Sequence, residues 1–102
     1  MPPVRLRARA RDDLDTAAAY YDERAAHMTE AFMTAFLTAQ THISQHPGTG
    51  SKKYATRQRL KDLRFWLLTD FPYAVFYIER KTHIEIVRVL HQSTDIPSHL
   101  QH

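Results

Sequence analysis

Val4, Leu6 and Ala8 alternate with Arg5, Arg7 and Arg9. That period of two predicts a short strand with one buried face and a row of arginines outside. Charge on the open side discourages pairing with other chains, so the strand is expected at a sheet edge. The period then changes. Leu14, Ala17, Ala18, Tyr21, Ala25 and Met28 recur at steps of three and four, the stripe of an amphipathic helix. Asp12 or Asp13 is the expected N-cap, and the neighbouring acids suit the positive end of the helix dipole. Phe32, Phe36, Ala39 and Ile43 carry the helical pattern on to His46, where Pro47 and Gly48 end it. One helix over residues 12–46 would far exceed the average of about 11–12 residues, so a break is expected. No glycine or proline marks it. Residues 24–29 are the expected bend, which gives an antiparallel helix pair.

Residues 47–62 are polar and basic and hold both glycines. They read as a long connection with a helical turn near residues 54–58. So long a loop in so small a chain is usually functional or mobile. Three β-branched and aromatic runs follow, at residues 63–69, Tyr73–Glu79 and Ile84–His91. The links between them are short, which predicts antiparallel neighbours. The middle run is apolar on both faces and suits a central, doubly covered strand. Asp95, Ile96 and Pro97 end regular structure, and the tail is expected to fray or form a short turn. The order is β-α-α-β-β-β. It predicts an α+β fold with the helix pair packed on a mainly antiparallel four-stranded sheet.

A length of 102 residues fits one domain. The absence of cysteine excludes disulfides, thiol catalysis and cysteine zinc sites. No apolar run approaches the ~20 residues of a membrane span, and the first residues lack the apolar core of a signal peptide. A soluble, cytoplasmic protein with no membrane association is expected. The net charge of +3 says little until it is divided along the chain. Residues 1–11 carry four arginines and no acid, and residues 12–46 carry six acids and one arginine. Residues 47–64 carry six bases and one acid. The first strand and the central loop are therefore basic and the helix pair acidic, a pattern suited to holding an acidic partner.

Candidate chemistry is sparse. His42 and His46 lie four apart at a helix end, but no third metal ligand accompanies them, and histidines there interact well with the dipole. No metal and no cofactor is expected. The serines sit in no nucleophile elbow. Arg64 and Arg88 fall inside predicted strands beside Trp66, Tyr73, Tyr77 and His91. Such a face suits a phosphate backbone with a stacked base. It suits an acidic peptide equally well, through arginine–carboxylate pairs. The third reading is structural, with both arginines laid over core aromatics.

Residues 63–97 resemble the C-terminal half of the ParE branch of the RelE/ParE toxin superfamily. The resemblance is carried by Leu63-Arg64, the tyrosine-rich run from Tyr73 to Tyr77, Ile84-Glu85-Ile86, and Val89-Leu90-His91 followed by Asp95-Ile96. The N-terminal half is similar in kind, with a short strand, Asp13-Leu14, and a helix pair closed by His46-Pro47 and Gly48 or Gly50. The resemblance implies a toxin of a type II toxin–antitoxin module, wrapped and neutralised by a ParD-like antitoxin. ParE proteins poison DNA gyrase, whereas RelE proteins cut mRNA on the ribosome. Where the RelE strand carries an arginine after its first tyrosine, this chain has Ala74. Gln92, Ser93 and Thr94 precede Asp95 without the arginine common there, and the tail after Asp95 has no Tyr, Lys or Arg. Cations of that kind offset charge on a scissile phosphate. The resemblance therefore implies a non-enzymatic gyrase-binding toxin, with no catalytic residues and no sequence-specific nucleic-acid binding. The alternatives are a RelE-like ribosome-dependent endoribonuclease and a non-toxic member that only binds antitoxin. The implied functional face is Arg64, Trp66, Tyr73, Arg88, His91 and Asp95. The implied antitoxin contacts are Arg5, Arg7, Tyr21, Met28, Lys52 and Lys53. An unoccupied antitoxin groove would allow a homodimer, and the antitoxin complex a heterotetramer.

Overall fold

Three residues suffice for the first strand, because it borrows its register from the last. The computed structural model describes residues 2–55 and 60–100. β1 (Val4–Leu6) runs parallel to β4 (Ile84–His91), with Val4 beside Ile84 and Leu6 beside Ile86. β2 (Leu63–Leu67) and β3 (Tyr73–Glu79) complete a sheet of order β1-β4-β3-β2, antiparallel except at β1. The helices are α1 (Ala8–Arg24), α2 (Thr29–Gln45) and the single turn α3 (Ile96–His99). The α+β order read from the sequence stands, and β1 is an edge strand with Arg5 exposed.

The start of α1 corrects the expected cap. The helix begins at Ala8, which therefore leaves the strand, and its N-cap is Arg7 with no side-chain capping bond. Asp12 and Asp13 lie inside the helix. The cause is at the other end of the chain. β1 pairs with β4 only as far as Ile86, whose carbonyl accepts the Arg7 N–H at 3.0 Å. Beyond that point the edge of β4 would be bare. Asp13 closes it: its carboxylate accepts the Val89 N–H at 2.9 Å and two hydrogen bonds from Arg88, at Nε and Nη2.

The helix break falls where it was expected. Ala25, at φ −157°, leaves the helical region, and a 3-10 turn at Ala26–Met28 leads into α2. Ala25 needs no glycine, since extended backbone is open to any residue. Tertiary packing holds the bend. Tyr21, Phe32, Phe71 and Tyr73 form a chain of ring contacts with centroids 5.3–5.5 Å apart. The far end of α2 returns to the N-terminus, where the Ser44 hydroxyl donates to the Pro2 carbonyl at 2.6 Å.

The sheet carries apolar cover on both sides. Toward the helix pair lie Leu14, Ala17, Phe32, Phe36, Ile43, Val75, Tyr77 and Ile86. On the other side lie Leu63, Ala74, Phe76, Ile78, Val87 and Leu90, with Tyr54 and Leu60 from the connecting loop. Every residue of β3 except Glu79 is buried, as its two-faced apolar sequence predicts. Ile96 and Leu100 are each 8% exposed and close this second layer, so residues 96–100 form a docked turn that does not fray. β2 stops at Leu67, two residues short of the expected end. The chain turns there through Asp70 at φ 68°, and the Leu68 N–H bonds the Tyr73 carbonyl. In the 47–62 connection, Ser51 bridges Phe65. The helical turn expected near residues 54–58 falls largely on residues 56–58, outside the described residues. The register of β3 and β4 slips between Phe76 and Tyr77, which leaves Val87 as an extra residue. That bulge sets Arg88 beside Phe76, and its guanidinium reaches Asp13 of α1 at the bare edge of β4.

Candidate functional site

A groove of about 830 Å³ runs between α2 and the free side of β2. Its α2 wall is built from small residues at helical spacing, Ala31, Ala35 and Thr38, which leave the helix face shallow. Trp66 and Leu67 of β2 form the opposite wall. Leu67 is 48% exposed and Leu37, on the outer face of α2, is 55% exposed. Large apolar side chains held in water beside a groove are characteristic of a surface that meets another protein. Glu30 and Asp70 stand among its lining residues, and among the described residues no lysine or arginine does.

Trp66 is fixed by His42. The two rings stack with centroids 4.2 Å apart and planes 21° from parallel. The His42 Nε2 lies 3.1 Å from the Thr49 hydroxyl, which itself donates to the His46 carbonyl at 2.9 Å. His46 approaches His42 at 5.2 Å between centroids. Among the described residues, no three His, Asp or Glu side chains converge to hold a metal.

The loop beside the groove is locked to the sheet by a buried phenol. The Tyr77 hydroxyl donates to the Pro47 carbonyl at 2.7 Å and accepts the Gly50 N–H at 3.0 Å. Arg64 donates to the Gly50 carbonyl at 2.9 Å. Burial raises the Tyr77 phenol above its usual range, and the Gly50 N–H and the Arg64 charge offset part of that rise. Tyr73 is raised as well, first by burial and then by Tyr21 and Tyr20.

The sheet divides the six residues expected to share a face. Arg64 and Trp66 pair with Tyr77 and Val75 and so face the helix pair, as do Tyr73 and His91. Tyr73 meets His91 edge to face at 5.1 Å, and the His91 Nδ1 accepts the Ser93 N–H. Arg88 lies on the opposite side. Its guanidinium grips Asp13 at 2.8 and 3.0 Å, and a third N–H reaches the His99 carbonyl at 3.0 Å. The hydrogen bond to Asp13 holds its pKa above the usual arginine value against the opposing effect of burial, with the Asp13 charge adding to the rise. Asp95 is exposed, one residue before α3.

The six expected antitoxin contacts are also dispersed. Arg5 is exposed on β1, and Arg7 donates to Glu85 at 2.8 Å. Tyr21 and Met28 are half-buried at the helix break. Lys52 and Lys53 are exposed beside Ser51, with the Lys53 ammonium 5.4 Å from the centre of the Tyr54 ring. Sequence reasoning missed Asp13 as the partner of Arg88 and His42 as the support of Trp66. The stack had one faint signal, a histidine on the helix stripe that also carries Ala35 and Ala39. The ion pair had none, since its members lie 75 positions apart.

A solved structure titled "Chromosomal ParDE TA system from P. aeruginosa" superposes with a TM-score of 0.71. It covers 89% of this chain and 96% of that chain at 15% identity, so the likeness is one of fold. No curated protein matches the chain. The family profile described as "ParE toxin of type II toxin-antitoxin system, parDE" matches residues 4–96, from the first strand to the start of α3. The chain belongs to the ParE toxin family of type II toxin–antitoxin systems.

Proposed function

We propose that this chain is a single-domain cytoplasmic toxin that inhibits DNA gyrase by binding it, and that a ParD-like antitoxin neutralises it. The observation that carries the reading is the groove between α2 and β2, with Leu37 and Leu67 exposed beside it. An amphipathic antitoxin helix laid along the groove would cover Leu67 and the Trp66 edge, in the helix-in-groove manner. Binding is favoured over RNA cleavage by the state of the two strand arginines. Arg64 already serves the Gly50 carbonyl and Arg88 already serves Asp13. A cation held in this way is poorly placed to meet a scissile phosphate.

Two measurements test the reading. Purified chain added to a gyrase supercoiling reaction should slow supercoiling and leave cleaved DNA; unchanged supercoiling at large excess sinks the gyrase assignment. Co-expression with a ParD-like antitoxin should restore growth and yield a stable complex. Replacing Leu67 by Asp should weaken that complex, because a carboxylate would be buried against an apolar helix face. Cuts in translating mRNA with intact chromosomal DNA would instead select the ribonuclease alternative.

A further inference from the structure

On the side of the sheet away from the helix pair, a cavity of about 320 Å³ opens where β1 runs into α1. Leu60, Val87 and Leu100 form its floor, and Arg7, Arg9 and Arg88 its rim. Two nearby carboxylates are already engaged. Asp13 holds Arg88, and Glu85 accepts from both Arg7 and Arg80. Arg88 is a fixed wall, with its remaining arm on the His99 carbonyl. Arg7 directs one N–H to Glu85, and Arg9 makes no hydrogen bond or ion pair among the described residues. Unbalanced positive charge therefore surrounds an apolar floor. Among the described residues no aromatic ring lines it, so these residues offer a nucleotide base nothing to stack on. An aliphatic side chain flanked by carboxylates matches both parts. It fills the floor, and the forked guanidiniums take the carboxylates in paired hydrogen bonds.

We infer that this cavity is a second docking point for the antitoxin, taking an acidic stretch with an aliphatic anchor on the face opposite the Trp66 groove. The inference rests on the toxin–antitoxin reading above and adds to it the site, the charge and the anchor. It also gives the free chain a measurable signature. The first turn of α1 contains Arg9 and Arg11 and no acid, the reverse of what the helix dipole favours. Such a turn weakens the chain until an anion arrives, which is the expected trade between stability and binding.

The test uses the full chain with fluorescein-labelled short peptides tiling its ParD-like antitoxin, read by anisotropy. An acidic, aliphatic peptide should bind. Arg9→Glu should weaken it by about tenfold or more while raising the thermal midpoint of the free chain by about 3 °C. Ala8→Phe keeps every arginine and fills the mouth of the cavity, and should weaken the peptide to a similar degree. The intact antitoxin should still be retained by both variants through the groove. Unchanged peptide affinity in either variant overturns the inference, as does a fall in midpoint with Arg9→Glu. Retention of the intact antitoxin with no peptide bound overturns it too and leaves the toxin–antitoxin reading standing. Failure of the wild-type chain to retain the intact antitoxin overturns that reading first.

Discussion

Asp13 and Arg88 join the first helix to the last strand through two hydrogen bonds of 2.8 and 3.0 Å, across 75 positions of sequence. Their side chains are 15% and 13% exposed, so the pair is largely removed from water. Removing one member leaves the other charged and desolvated, which costs about 3 kcal/mol. Asp13→Ala and Arg88→Ala should each show that loss in urea unfolding. Asp13→Asn should cost less, because an amide oxygen still accepts the Val89 N–H. A double-mutant cycle should give clear coupling; simple additivity would show that the pair contributes nothing.

Tyr77 and Gly50 give a second prediction. Gly50 has an ordinary φ of −66°, so its lack of a side chain serves close approach and not an unusual backbone. A Cβ there would collide with the Tyr77 hydroxyl and lie 2.9 Å from the Phe65 carbonyl. Gly50→Ala should therefore destabilise by about 2–3 kcal/mol. Tyr77→Phe strands the Gly50 N–H and should cost about 1–3 kcal/mol. The same phenol has a raised folded-state pKa, so its stabilising effect is complete below 10.0 and fades as pH climbs through the raised value. Alkaline unfolding should begin at higher pH in Tyr77→Phe, measured against each protein's neutral stability.

Trp66 is the only tryptophan in the chain, and its indole lies against His42. Imidazole quenches indole emission on contact. His42→Ala should brighten the fluorescence of the folded chain, and antitoxin binding in the groove should shift the emission to the blue. An unshifted spectrum in the complex would place the antitoxin elsewhere.

Glu85 sets an acid-side prediction. Burial pulls its carboxyl upward, but hydrogen bonds and charge from Arg7 and Arg80 outweigh that and hold it below the ordinary 4.5. A depressed folded value stabilises above the unfolded pKa, and the effect disappears as pH falls through the folded value. The stability gap between wild type and Glu85→Gln should be full at neutral pH and close on acidification below 4.5. A gap independent of pH would mean that the carboxylate's charge is not what the arginines recognise.

Periodicity located the first strand and both helices, because each buries one face or one stripe, while the other three strands were legible as β-branched and aromatic runs. The break at Ala25 was legible only as excess length, since ring packing among Tyr21, Phe32 and Phe71 holds it and no local residue signals it. Asp13 misled for the same kind of reason. Its local context is that of a cap, while its partner lies on β4. The six residues placed on one face were divided by strand alternation and by the bulge at Val87, an insertion that leaves no mark in composition. The charge blocks did foreshadow the arginine rim of the second cavity. The groove was not foreseen, because Ala31, Ala35 and Thr38 look like ordinary helix filler until β2 lies opposite them.

The parallel pairing of β1 with β4 has a consequence for synthesis. β4 is the inner neighbour of β1 and β3 and is also the last strand to be made. Until it emerges, Val4 and Leu6 have no ladder, Asp13 has no arginine, and one face of the sheet lacks its Ile96 and Leu100 cover. Contacts so distant in sequence form slowly and late. A growing chain therefore remains an unfinished sheet until β4 has cleared the ribosome.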